Sequence, residues 1–105
     1  MGLLDYTDEY TYIVAMRYAH YAKKRAANLK KHGYDFKDAP QVIEGSATVT
    51  FEDRRFDYSE QRFITLGMLR GELVVIATTE TDEEIRLISM RKAERHEEEI
   101  YYANL

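Results

Sequence analysis

Within this 105-residue chain, residues 17–37 hold seven bases (Arg17, Lys23, Lys24, Arg25, Lys30, Lys31 and Lys37) against the single acid Asp35, a local charge of +6. Further on, Arg62 opens an alternating apolar stretch, Arg86 sits inside another and Arg91 follows it. His32, Glu60, Glu97 and Tyr101 supply groups that exchange protons. Guanidinium and ammonium groups stabilise charge on a phosphate undergoing attack, while a histidine or carboxylate takes and returns protons. Together these residues suit RNA cleavage by transesterification. In that reaction the ribose 2′-hydroxyl attacks the adjacent phosphate, so the substrate brings its own nucleophile.

Other chemistries find little support. The chain has no cysteine, hence no disulfide framework, thiolate metal site or cysteine nucleophile. Its histidines, at 20, 32 and 96, show no HExxH spacing, and its five glycines are scattered, so neither a catalytic zinc site nor a phosphate-cradling loop is expected. No cofactor is implied. Each candidate also has a purely structural reading. His32 beside Gly33 can donate to the terminal carbonyls of a helix, and Glu60 with Arg62 can form a cross-strand ion-pair set. Arg86 can bridge to Glu97, and Tyr101 can be core.

These side chains need elements to position them. Residues 22–32, AKKRAANLKKH, are good helix formers, with Ala22, Ala26 and Leu29 on one face and Gly33 as the left-handed stop. Asp35 can cap a second helix over 36–44, which Pro40 should shorten or kink. The pattern then turns to period two in SATVTF (46–51), QRFITLGML (61–69), ELVVIATTE (72–80) and EIRLISMR (84–91), four strands of an antiparallel meander. In the last, strict alternation sets Ile85, Leu87 and Ser89 against Arg86, Ile88 and Met90. MRYAHY (16–21) alternates weakly, as a short edge strand would. From Arg91 the chain returns to helix, with Ala93, Glu97, Ile100 and Tyr101 on one face and Leu105 at its apolar end. The predicted fold is α+β: two N-terminal helices, a four-stranded antiparallel meander sheet and a C-terminal helix, the helices packed on one face.

Charge and length set the frame. The first sixteen residues carry −3 and residues 38–105 carry −7, so the overall −4 hides the basic stretch between them; local potential, not the sum, steers a polyanion. Residues 16–105 read as one domain, preceded by an acidic, tyrosine-rich extension (1–15) in which Tyr6, Tyr10 and Ile13 lie at helical spacing. With neither a membrane-spanning run nor a secretory leader, a cytoplasmic protein is expected.

The stretches K24-x-x-x-N28-L-K-K31-H32-G33-x-x-F36, E60-Q-R62-F-I-T-L-G67 and I85-R86-L-I-S89-M-R91-K92-A93, followed by Glu97 and Tyr101, resemble the BrnT family of toxins from bacterial type II toxin–antitoxin systems. The resemblance spans roughly residues 16–105. It implies a RelE-like fold and a ribonuclease that arrests translation. It also implies neutralisation by a BrnA-like ribbon-helix-helix antitoxin, as a homodimer or a heterotetramer with that partner. The Lys31–His32 pair, Glu60, Arg62, Arg86, Ser89 and Arg91 fall on family-characteristic positions. His32, Glu60, Arg62 and Arg86 are the catalytic candidates; Lys24, Lys30, Lys31 and Arg91 are the RNA-binding ones. The sequence departs from the family at His20 and Tyr21, where a Trp anchor and an Asp N-cap are usual, and at Met90, where a small residue follows the serine. The competing reading is a degenerate toxin that acts only by binding an antitoxin or itself. An unrelated small RNA-binding domain on the same layout is a third.

Overall fold

The computed structural model describes residues 17–55 and 59–105; the N-terminal extension and its helical spacing lie outside them. A five-stranded mixed sheet has the order β1-β5-β4-β3-β2, built from Arg17–Ala19 (β1), Val49–Glu52 (β2), Arg62–Leu69 (β3), Glu72–Glu80 (β4) and Glu84–Lys92 (β5). The meander β2–β5 is antiparallel, but β1 adds a fifth strand parallel to β5. The sheet thus has one strand more than the four-stranded meander expected, and the fifth is the short edge strand that the weakly alternating MRYAHY stretch suggested. Three residues are too few to show a period by themselves, and β1 is fixed by pairing Arg17–Ala19 with Glu84–Arg86. The Tyr18 hydroxyl also donates to Glu44.

Turn chemistry sets the register. Arg70 and Gly71 both take positive φ, 46° and 84°, which closes β3 onto β4 with the two-residue turn whose twist suits a hairpin. Between β4 and β5, the Thr81 hydroxyl accepts from the Glu84 amide at 3.2 Å. The β4–β5 ladder then slips: Thr78 pairs with Leu87 and Ala77 with Ser89, leaving Ile88 as a bulge.

Three helices surround the sheet: Ala22–His32 (α1), Ala39–Gly45 (α2, preceded by a 3-10 turn at Phe36–Asp38) and Arg95–Ala103 (α3). The second helix begins later than expected. Pro40 falls in its first turn, where a missing N–H costs nothing, and the Asp35 cap serves the 3-10 turn by accepting from the Lys37 amide at 3.1 Å. The last helix begins at Arg95 because β5 runs on to Lys92 and the Ala93 amide is taken by Leu73 O at 2.9 Å. Ile100 and Leu105, expected on its apolar side, are exposed.

The helices do not share one face. Phe36, Ala39 and Val42 pack with Leu69, Val74, Ile76, Ile85, Leu87 and Met90 on one side of the sheet. Tyr101 and Ala93 pack with Leu66, Leu73 and Val75 on the other. The contact of α2 is close enough that a β-carbon on Gly67 would stand 2.7 Å from Val42 Cγ1. At nine residues, α3 is too short to cover its whole face, and what it leaves open is where the candidate residues gather.

Candidate active site

Cross-strand register assembles the basic residues. Arg62, Thr79 and Arg86 lie level across β3, β4 and β5; Ile64, Ala77 and Ser89 form the next row, and Leu66, Val75 and Arg91 the next. Residues level across a sheet share a face, and alternate residues of β4 share it too. Arg62, Arg86, Ser89 and Arg91 therefore all stand on the α3 side. Strict alternation had set Ser89 opposite Arg86 and placed Met90 beside it. The bulge at Ile88 reverses this, sending Met90 into the core with Ile85 and Leu87 and turning Ser89 to join Arg86.

α1 forms the wall of this face along β5. Lys24, Lys31 and His32 line an open depression of about 240 Å³ with Ala27, Asn28, Ile88 and Ser89. Ser89 is thus the joint between the arginine rows and the lysine–histidine wall. Lys30 is exposed outside that lining. A neighbouring depression of about 190 Å³ holds Arg86 with Ala19, His20, Tyr21 and Glu84. The His20 ring meets Phe36 edge-on at 5.8 Å. Tyr21, at the N-cap of α1, makes no side-chain capping bond.

α1 itself sits differently from its apolar spacing. Ala22, Ala26 and Leu29 face solvent, and its buried residue is Asn28, 7% exposed. Gly33 stops the helix as expected, at φ 80°, donating its amide to Leu29 O at 2.9 Å. Arg25 holds Asp35 through two bonds of 2.6 and 3.0 Å. With the Lys37 amide, that contact keeps the Asp35 carboxyl at about 2.

The acidic candidates divide. Glu60 lies 3.7 Å from the Arg86 guanidinium, and Glu84 lies 3.8 Å away on the other side. Both contacts are loose. Arg86 and Glu60 are half-exposed, while Glu84 is less exposed and holds Arg17 at 2.7 Å. Loose pairs of this kind contribute little to stability. Glu97 is instead fixed. It accepts from Arg91 at 2.8 and 2.7 Å and from the Glu94 amide at 2.8 Å, so it closes α3 onto β5. Burial raises the Glu97 carboxyl, but the Arg91 and Glu94 bonds outweigh it and hold the group below its ordinary range. The bridge from β5 to Glu97 comes from Arg91, not Arg86. Tyr101 is core, its hydroxyl donating to Ala47 O at 2.9 Å. Glu94, His96 and Glu97 bring potential ligand atoms within 4.8 Å of one another, but those of Glu97 are already taken by Arg91 and the Glu94 amide.

Two residues of the site went unassigned in the sequence. Asn28 is one. Arg55 is the other, paired with Asp53 at 2.9 Å and close enough to Arg91 to oppose the upward pull of Glu97 on its guanidinium. Asn28 lies within the KxxxNLKKHG stretch; Arg55 lies in a charged loop with no periodic signal.

The domain is α+β, with Arg62 and Arg86 level on one face of its sheet and Lys24, Lys31 and His32 on the helix beside it. Residues 21–97 match the family described as the ribonuclease toxin, BrnT, of type II toxin–antitoxin systems, and the chain belongs to that family. No curated protein matches it in a sequence comparison. Among the described residues no helix is long and apolar enough to cross a membrane.

Proposed function

We propose that this chain is an endoribonuclease toxin that cleaves RNA by 2′-hydroxyl attack, needs no metal, arrests translation, and is neutralised by a BrnA-like ribbon-helix-helix antitoxin. The observation that carries the reading is the position of Ser89: it shares a sheet face with Arg62 and Arg86 and a depression with Lys31 and His32. One stretch of RNA laid along this face meets cations on both sides. Arg62 and Arg86 hold the reacting phosphate. Lys24, Lys31 and, at the margin, Lys30 take flanking phosphates, while Arg91, anchored by Glu97, adds its field. Glu60, next to Arg86, removes the 2′-hydroxyl proton. As the new P–O2′ bond forms, the P–O5′ bond breaks. The leaving oxygen takes a proton, for which His32 is the donor candidate. The products are a 2′,3′-cyclic phosphate and a free 5′-hydroxyl.

Cleavage of RNA by the purified chain in the presence of a chelator, with cyclic-phosphate ends on the product, tests this directly. Arg62→Ala and Arg86→Ala should each slow cleavage by about ten- to a hundred-fold, the worth of one hydrogen bond to a charged group, with the thermal melt preserved. Intact RNA, together with unimpeded growth on induction of the chain alone, would overturn the enzyme reading. The alternative, a homologue that only binds its antitoxin, draws on Arg91 being fully engaged by Glu97 and on the departures at His20 and Tyr21. It predicts tight antitoxin binding with no cleavage.

A further inference from the structure

The α1 and β5 parts of the site are joined by no ladder. α1 carries Lys24, Lys31 and His32; β5 carries Arg86, Ser89 and Arg91. β1 pairs with β5 only at Glu84–Arg86, so the ladder on that side stops short of Ser89. At Met90 a side chain takes over. Asn28 Oδ1 accepts from the Met90 amide at 3.1 Å, and Asn28 Nδ2 donates to Met90 O at 2.8 Å and to Tyr34 O at 3.1 Å. A carboxamide offers an acceptor and donors in one plane, as a neighbouring strand does. Here it replaces that strand at a single residue.

We propose that Asn28 is a positioning residue for the RNA-cleaving site: its amide sets the register of the α1 wall against β5, so that Lys31 and His32 face Ser89. The inference rests on the RNA reading above. Two observations separate positioning from ordinary packing. The apolar residues of α1, Ala22, Ala26, Ala27 and Leu29, are all exposed, so hydrophobic burial does not fix the helix. The three bonds also converge on the site, since two grip β5 next to Ser89 and the third grips the turn directly after His32 and Gly33.

The test measures affinity for a 2′-O-methyl RNA oligonucleotide, which cannot be cleaved, as a function of salt. The variants are Lys31→Ala, Asn28→Ala and the two combined, with thermal melts on each. Lys31→Ala should weaken binding and lower the salt slope by about one phosphate contact. Asn28→Ala removes no charge, yet should also lower the slope and weaken binding about ten-fold. The double variant should be within about two-fold of the weaker single one, because both act through the same contact. A folded Asn28→Ala protein with the parent slope and additive losses would show that Asn28 only packs. If Asn28→Ala does not fold, Asn28→Asp keeps the acceptor for the Met90 amide and regains a donor when protonated. Its slope should then recover as pH falls, and a slope equal to the parent's throughout overturns the assignment. Absence of any oligonucleotide binding by the parent chain would instead sink the RNA reading itself.

Discussion

Arg91 and Arg86 lie five residues apart on one strand and do different work because of the acids they meet. Arg91 is clamped by two short bonds to a carboxylate that also caps α3, whereas Arg86 has two partners at 3.7 and 3.8 Å and remains available. Glu97→Ala removes both the clamp and the cap. It should lower stability by about 1–3 kcal/mol, the upper end reflecting the partial burial of the pair, read as a lower melting temperature. Glu60→Gln should leave the melt unchanged and slow cleavage at least ten-fold; an equal loss of stability would make Glu60 a structural partner of Arg86 rather than a base. The types of these residues were legible in the sequence. Their division of labour was not, since a spacing of five says nothing about which acid lies opposite.

At the scale of elements, the bulge in β5 is decisive. Side chains in a strand alternate, so one extra residue exchanges the faces of everything on one side of it. Ile88 is that residue, and it allows Ile85, Leu87 and Met90 to share the core while Arg86, Ser89 and Arg91 share the other face. Holding all nine residues of β5 in a regular ladder would turn Ile85 and Leu87 out of the core or Met90 and its neighbours the wrong way. Deleting Ile88 instead makes Leu87 and Ser89 successive and leaves every other residue on its own face. The Ile88 deletion should therefore keep a cooperative melt; loss of cooperativity in that variant would refute this register. α1 shows the complementary lesson. Its limits, 22–32, and its stop at Gly33 follow from local propensity and match the structure. Its buried side does not follow from the apolar stripe, because a hydrogen-bonded asparagine decides the docking.

For the whole molecule, two carboxylates held by arginines couple the fold to pH. Asp35 sits at about 2 against an ordinary 3.8, and Glu97 lies below its ordinary 4.5. Both are depressed in the folded state, so their stabilisation is fully present above those ordinary values and is lost as pH falls through the folded ones. Thermal melts should therefore stay level from neutrality to about pH 5 and decline below it, and Asp35→Asn should flatten the part of the decline between about 4 and 2. A parent melting temperature that holds steady down to pH 2 would contradict both pairings. The charge distribution acts at the same scale. The +6 of residues 17–37 is gathered largely on α1, beside arginines drawn from β3 and β5.

By itself, then, the sequence determined the helix at 22–32, the hairpin-linked strands, the basic stretch and the inventory of basic and titratable side chains, because propensity, period and charge are properties of neighbours along the chain. Only the tertiary structure decided that helices cover both faces of the sheet and that β1 pairs parallel to β5. It also decided that Arg62, Arg86 and Ser89 share a face and that Asn28 fastens the lysine–histidine wall to β5. Each of these depends on which residue stands opposite which across tens of positions, and a single bulge or a single buried amide is enough to change the answer.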